Sequence, residues 1–273
     1  MTPTNAQTGY ATVNGLKMYY EIHGSGGHPL VLLHGAFSAI GSSFGTLLPA
    51  LARTRQVVGF EYQGHGRTAD IDRPMTIEQL ADDVAAAIAQ LAIAPADIFG
   101  YSLGAGIALH VALRHPAAVR KLVLASVTTK LSGIHPGLMD GLGEMQPAML
   151  YGSPWHAEYI RIAPDPQGFD TLFAKKSAMD KQIPDIPDAA IASIKAPVLL
   201  ISGDSDIARP EHLVDVFRLL GGGVFGDMAG LPNSQLAVLP GTSHTGMVDR
   251  AAMLVPMVVP FLDAPMPDAT SSL

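Results

Sequence analysis

Two patterns of apolar and polar positions alternate along the chain. In "YATVNGLKMYYEIHG" (10–24) apolar and polar residues alternate around Asn14-Gly15. Asn-Gly tolerates positive φ at both positions, so this stretch predicts a hairpin of two antiparallel strands. Four runs without alternation follow: "PLVLLHG" (29–35), "QVVGFEY" (56–62), "ADIFGYS" (96–102) and "RKLVLASV" (120–127). Unbroken apolar runs rich in Val, Ile and Leu are expected of strands buried on both faces, as in a parallel sheet.

Helical periodicity fills the spaces between these runs. The clearest case is "MTIEQLADDVAAAIAQLAI" (75–93), where Thr76 and Gln79 form a capping box and Met75 and Leu80 a hydrophobic staple. The strand–helix rhythm resumes with "APVLLISGD" (196–204), a helix near 210–220, "SQLAVLPG" (234–241), and a closing helix from Asp249 interrupted by Pro256 and Pro260. The pattern predicts an α/β fold, an open and mostly parallel sheet with helices on both faces. Residues 128–194 break the rhythm, being rich in proline and in scattered Met, Tyr, Phe and Trp. They are read as a helical cap inserted into a core formed by 1–127 and 195–273. The Gly-rich "GGGVFGDMAG" (221–230) lacks the ending of a phosphate loop and reads as a connector at the bottom of the sheet, and "DAPMPDATSSL" (263–273) as a mobile tail.

Composition narrows the function. A chain of 273 residues with 48% hydrophobic and 15% charged residues can build a sizeable core. Its net charge of -7, with no run of Lys or Arg, argues against nucleic acid as a partner. It contains no cysteine, which removes thiolate nucleophiles and thiolate metal sites. No basic leader with an apolar core and no long apolar span is present, so a cytoplasmic location without a membrane partner is expected. No His-Glu-x-x-His or comparable spacing occurs, and neither metal nor cofactor is implied.

The candidate chemistry centres on Ser102. It stands between Gly100 and Gly104 where the run 96–102 gives way to the helical "LGAGIALHVALRH". A very tight strand-to-helix turn exposes a serine hydroxyl, directs the following N–H groups into the same space, and brings the residues two before and two after it together. Only minimal side chains fit there, which accounts for Gly100 and Gly104; Gly106 would let the helix pack closely on a neighbouring strand. Serine is a weak nucleophile until a base takes its proton. Of ten histidines, His244 in "LPGTSHTGM" lies in a loop of small residues just after the last strand and is the best base. His23, His28 and His212 read as exposed or loop histidines. The orienting acid should follow the penultimate strand, where Asp204 and Asp206 both occur. Asp204 falls in a tight turn and should cap local N–H groups, leaving Asp206 to reach the base. The two N–H donors for an oxyanion are assigned to Leu103, directly after the serine, and Ala36, in the loop after "LVLLHG". Phe37, Tyr101 and Trp155 are the candidates to line the substrate site.

Taken in order, "LLHGAF" (32–37), "YQGHGRT" (62–68), "GYSLGAG" (100–106), "SGDSDIARP" (202–210) and "PGTSHTG" (240–246) resemble the α/β-hydrolase superfamily over about residues 9–262. The resemblance implies the order Ser102, Asp206, His244 for nucleophile, acid and base. It also implies that His34 and the Gly64-His65-Gly66 turn brace loops beside the site. One departure is "FEYQGHGRT", where relatives often carry aspartate at the position of Glu61 or Tyr62. The expected reaction is hydrolysis of a carboxylic ester with a small-to-medium apolar acyl or aromatic group, lactones such as acylated homoserine lactones included. The alternatives are carbon–carbon hydrolysis of a vinylogous diketone, with Arg161, Lys175, Lys176 and Arg209 as candidate carboxylate anchors, and a non-hydrolytic lyase, cofactor-free oxygenase or ligand receptor on the same fold. The oligomeric state is left open.

Overall fold

The computed structural model describes residues 6–267. The hairpin forms as its pattern predicts, with β1 (Gln7–Val13) paired antiparallel to β2 (Leu16–His23) and both turn residues, Asn14 and Gly15, at positive φ. The four apolar runs become β3 (Leu30–Leu33), β4 (Val57–Phe60), β5 (Ala96–Tyr101) and β6 (Val119–Ala125). With β7 (Val198–Ser205) and β8 (Gln235–Ser243) they complete one eight-stranded sheet in the order β1-β2-β4-β3-β5-β6-β7-β8. From β4 to β8 every pairing is parallel, and β2 joins β4 antiparallel.

Two apolar layers explain the unbroken runs. Val31, Leu33, Ile98, Leu122, Leu124 and Leu200 face one layer, while Leu30, Leu32, Phe99, Val123 and Ile201 face the other. Successive side chains therefore do alternate, but between two apolar destinations. The first layer packs against α3 (Ile77–Gln90), α4 (Leu103–Arg114) and α9 (Pro210–Leu219). The second packs against α1 (Ile40–Phe44), α2 (Leu48–Leu51) and α11 (Ala251–Asp263). Thr76 caps α3, its hydroxyl accepting from the Gln79 N–H at 3.1 Å, and Met75 and Leu80 are buried in the same layer.

Between β6 and β7 the chain forms no strand; it folds as α5 (Leu138–Gly143), α6 (Pro154–Ile162), α7 (Phe169–Asp180) and α8 (Asp188–Ala192), with short 3-10 turns between them. The Gly-rich tract follows α9 and carries α10 (Gly226–Ala229).

Two expectations need correction. Pro256 and Pro260 do not interrupt the closing helix, which runs through both as α11. Both lie on its exposed face, where the carbonyls they leave unbonded meet water, while Leu254, Val258, Phe261 and Leu262 anchor the opposite face. Gly106 is not needed for close packing on a strand: a Cβ there would meet only Ile77 of α3, at an ordinary 3.5 Å. Of the C-terminal stretch, Asp263 closes α11 and the Ala264 carbonyl accepts from Lys121, while residues 268–273 lie outside the described residues.

Candidate active site

Ser102 stands at the junction of β5 and α4 with φ 54° and ψ -118°, a strained backbone for a residue with a side chain. Its N–H donates to the Ala125 carbonyl at 2.9 Å, and its carbonyl accepts from Ala105 and Gly106 in the first turn of α4. The turn leaves no room beside it. A Cβ on Gly100 would be driven into the Gly104 carbonyl, and one on Gly104 into the carbonyl of Leu33. Two glycines thus make the turn possible, and the turn presents the hydroxyl at the carboxyl edge of the sheet.

Two later loops converge on that edge. His244 follows β8, and its Nε2 lies 2.9 Å from Ser102 Oγ. Its Nδ1 lies 2.6 Å from Oδ1 of Asp206, in the loop after β7. Tyr101 holds the His244 backbone, its hydroxyl donating to the His244 carbonyl at 2.9 Å. Asp206 is buried, and burial alone would push its carboxyl up. Hydrogen bonds from His244, Ser126 and the Ile207 N–H outweigh that and hold it below the usual carboxylate range. An ionised carboxylate only accepts, so Nδ1 of His244 carries the proton and Nε2 is left to accept from the serine hydroxyl.

Asp206 has supports that the sequence did not announce. Ser126, at the end of β6 with φ 60°, donates to Oδ2 at 2.5 Å, and Ser202 donates to the same oxygen at 3.1 Å. The only sequence signal for Ser126 is a small polar residue ending an apolar run, which is too common to single it out. Asp204 caps N–H groups as expected, but on the neighbouring strand: Gly241 and Thr242 donate to it at 2.8 and 3.1 Å. It thereby ties the loop that carries Asp206 to the loop that carries His244.

The loop after β3 is braced from several sides. Gly35 N–H donates to Ser43 Oγ at 3.2 Å, the Ser38 and Ser43 hydroxyls share a 2.9 Å hydrogen bond, and both Ser38 Oγ and His34 Nδ1 bond the Gly35 carbonyl at 2.8 Å. Phe37 adopts φ 57° and stacks on Phe173 of α7 at 5.7 Å. Among the described residues no protein acceptor takes the N–H of Ala36 or of Leu103. Glu61 is buried, accepting from the Arg67 N–H and guanidinium and, at 3.4 Å, from Ile40 N–H. The glutamate at this position therefore links the loop after β4 to the start of α1. His34 and His65 are fully buried beneath, each with its Nδ1 on a backbone carbonyl and its Nε2 unpartnered. Burial lowers their pKa values to about 3 and about 4, so both are neutral.

A cavity of about 260 Å³ opens on Ser102 and His244. Gly35, Ala36, Phe37 and Tyr101 line it from the sheet side, and Met145, Leu150, Trp155 and Phe173 from the segment between β6 and β7. Phe37, Tyr101 and Trp155 thus all reach the cavity. His212 departs from its expected place: it is buried on α9, and its Nε2 accepts from the Thr129 N–H at 3.1 Å. Among the described residues no cluster of three or more His, Asp or Glu could hold a metal, and no helix is long and apolar enough to cross a membrane.

Residues 28–185 match the family model of the α/β-hydrolase fold. The chain belongs to that family. Relatives include a protein of Agrobacterium fabrum provisionally named carbamate hydrolase RutD, 27% identical over 90% of this chain and 98% of its own. Another is the pimeloyl-[acyl-carrier protein] methyl ester esterase of Neisseria meningitidis serogroup C, 29% identical over 85% of this chain and 92% of its own. Among solved structures, the enol-lactonase of Burkholderia xenovorans LB400 superposes with a TM-score of 0.71 at 23% identity, covering 93% of this chain and 100% of that one. At that identity the likeness speaks for the fold alone.

Proposed function

We propose that this α/β hydrolase cleaves carboxylic esters, lactones included, with a small-to-medium, largely apolar acyl or aromatic group, through an acyl-enzyme on Ser102. The observation that carries the proposal is the hydrogen-bonded chain Ser102–His244–Asp206 at the wall of a largely apolar cavity. His244 Nε2 takes the hydroxyl proton as Oγ attacks the carbonyl carbon, and Asp206 stabilises the imidazolium that forms. The Ala36 and Leu103 N–H groups hold the oxyanion of the tetrahedral intermediate. Its collapse expels the alcohol, which takes the proton from His244. Water, deprotonated by the same imidazole, then releases the acid and regenerates the serine.

An ester needs only these parts, and a methyl ester esterase stands among the relatives. Carbon–carbon hydrolysis, the chief alternative, calls for a cation to grip the carboxylate of a vinylogous diketone, but three of the four candidates are already hydrogen-bonded within the protein and the fourth is exposed. Lys175 donates to Asp70 and the Ile71 carbonyl, Lys176 to Asp180, and Arg209 to the Ser132 carbonyl, while Arg161 is exposed beside Glu158. No lysine or arginine lies among the described residues lining the cavity.

The test is a panel of p-nitrophenyl esters from acetate to octanoate with wild type and Ser102→Ala. Turnover by wild type that is lost in the variant supports the proposal. Equal rates for both proteins on every ester and lactone would overturn it.

A further inference from the structure

Asp180 is the acidic residue among those lining the cavity, and it belongs to the covering segment, not to the Ser102–His244–Asp206 chain. It is the last residue of α7, and Lys176, one turn earlier on the same helix, donates to both of its carboxylate oxygens at 2.6 and 2.5 Å. The order of the pair decides its effect. Asp180 lines the cavity, whereas Lys176 is buried outside the lining, 6.0 Å from the centroid of the Phe37 ring. A ligand therefore meets the carboxylate first and the ammonium behind it.

Three features give this end of the cavity acceptor character. A carboxylate has about four acceptor positions, and one ammonium leaves some of them free. The carboxyl end of a twelve-residue helix adds the partial negative charge of its dipole. Ser177, on the same turn of α7, also lines the cavity and adds a hydroxyl. The remaining wall is largely apolar, built from Phe37, Leu150, Trp155 and Phe173 among others, and weakens a charge–charge interaction little.

We propose that Asp180 sets the charge preference of the substrate: the cavity takes an acyl group ending in a hydrogen-bond donor, such as an amide N–H, a hydroxyl or an ammonium, and rejects one ending in a carboxylate. This deepens the ester-hydrolase reading and rests on it. The donor end bonds the free lone pairs of Asp180 while the acyl carbonyl sits at Ser102. A terminal carboxylate meets a like charge there and finds Lys176 already taken.

The experiment measures kcat/KM for matched p-nitrophenyl esters of one acyl length carrying a terminal methyl, acetamido, ammonium or carboxylate group, over a series of lengths. Wild type should process the carboxylate ester about 30-fold less efficiently than the acetamido ester at the preferred length. Raising the salt concentration should shrink that ratio, which tests the charge effect without a variant. In Asp180→Asn the ratio should fall to about threefold or less, because Lys176 is released to receive the carboxylate. In Lys176→Met/Asp180→Asn it should settle between those two values, since both charges are gone. A wild-type ratio near one at every length, or a ratio that neither salt nor these variants move, overturns the proposal. The terminal-methyl ester separates the two readings. Without Ser102-dependent hydrolysis of that ester the esterase assignment itself fails, whereas its hydrolysis without charge discrimination removes only the role of Asp180.

Discussion

At the carboxyl ends of β5, β7 and β8 each proposed reacting group is held by directional bonds: Asp206 accepts hydrogen bonds from four donors besides His244, and the His244 backbone is pinned by Tyr101. The segment between β6 and β7 has hydrogen bonds of its own, such as those of Lys175 to Asp70 and the Ile71 carbonyl, but the wall it gives the cavity is mostly apolar packing. There Phe169 packs among Tyr159 and His156 at 5.3 and 4.8 Å between ring centroids, Leu172 and Phe173 are buried on the same helix, and Met149 and Tyr151 remain exposed. Hydrogen bonds fix a proton path to tenths of an ångström, whereas apolar packing accepts a change of shape at modest cost. On the proposed function, chemistry and selectivity therefore fall to separable parts, and substitutions should sort accordingly.

The sharpest break comes at the rim. Ser102→Ala should lower kcat by about 10⁵-fold or more on every ester, measured by steady-state kinetics. Asp206→Asn should cost about 10⁴-fold, because an amide can donate to Nδ1 and favour the wrong tautomer of His244. Asp204→Asn, two residues away, should mainly lower Tm; a larger loss of kcat from Asp204→Asn than from Asp206→Asn would transfer the role of the acid. Ser126→Ala should lower kcat by about tenfold with KM little changed, since it removes one donor from the carboxylate and none from the substrate.

In the covering segment, Trp155→Ala should instead raise KM several-fold and shift the preferred acyl length while kcat on short esters changes less. If rim and cover variants both moved kcat and KM together, the separation would fail. The smallest effect concerns the buried layer under the rim. His34 and His65 are neutral when folded, with pKa values of about 3 and about 4, but bind protons near the ordinary value of about 6.5 when unfolded. Between about pH 6.5 and 4 the unfolded chain thus carries more protons, so stability falls as the pH falls. Asp206 adds to the loss at lower pH, since its depressed carboxyl stabilises the fold above its unfolded value and ceases to as it protonates. A His65→Gln protein should show a shallower fall of Tm across this window.

Much of this molecule is legible in one dimension because its strongest constraints are local. A doubly buried strand must be apolar at every position, an Asn-Gly turn must accept positive φ, and a serine on a tight turn must have glycine two residues to either side. Those requirements mark β1 to β7 and Ser102 from the sequence alone, whereas β8 is an edge strand whose residues are mostly exposed or half-buried. A loop of small residues just after the last strand singled out His244 among ten histidines, and the α/β-hydrolase resemblance added the order of the three partners and weight for Asp206 over Asp204. What tertiary structure alone decided is everything that depends on long-range approach. Ser126 meets Asp206 across 80 positions of chain. Asp204 reaches Gly241 and Thr242, and Pro256 and Pro260 are tolerated because both face water. Whether a cation in the covering segment is free or already paired is likewise written in no local pattern, because it depends on which side chains the fold brings within hydrogen-bonding distance.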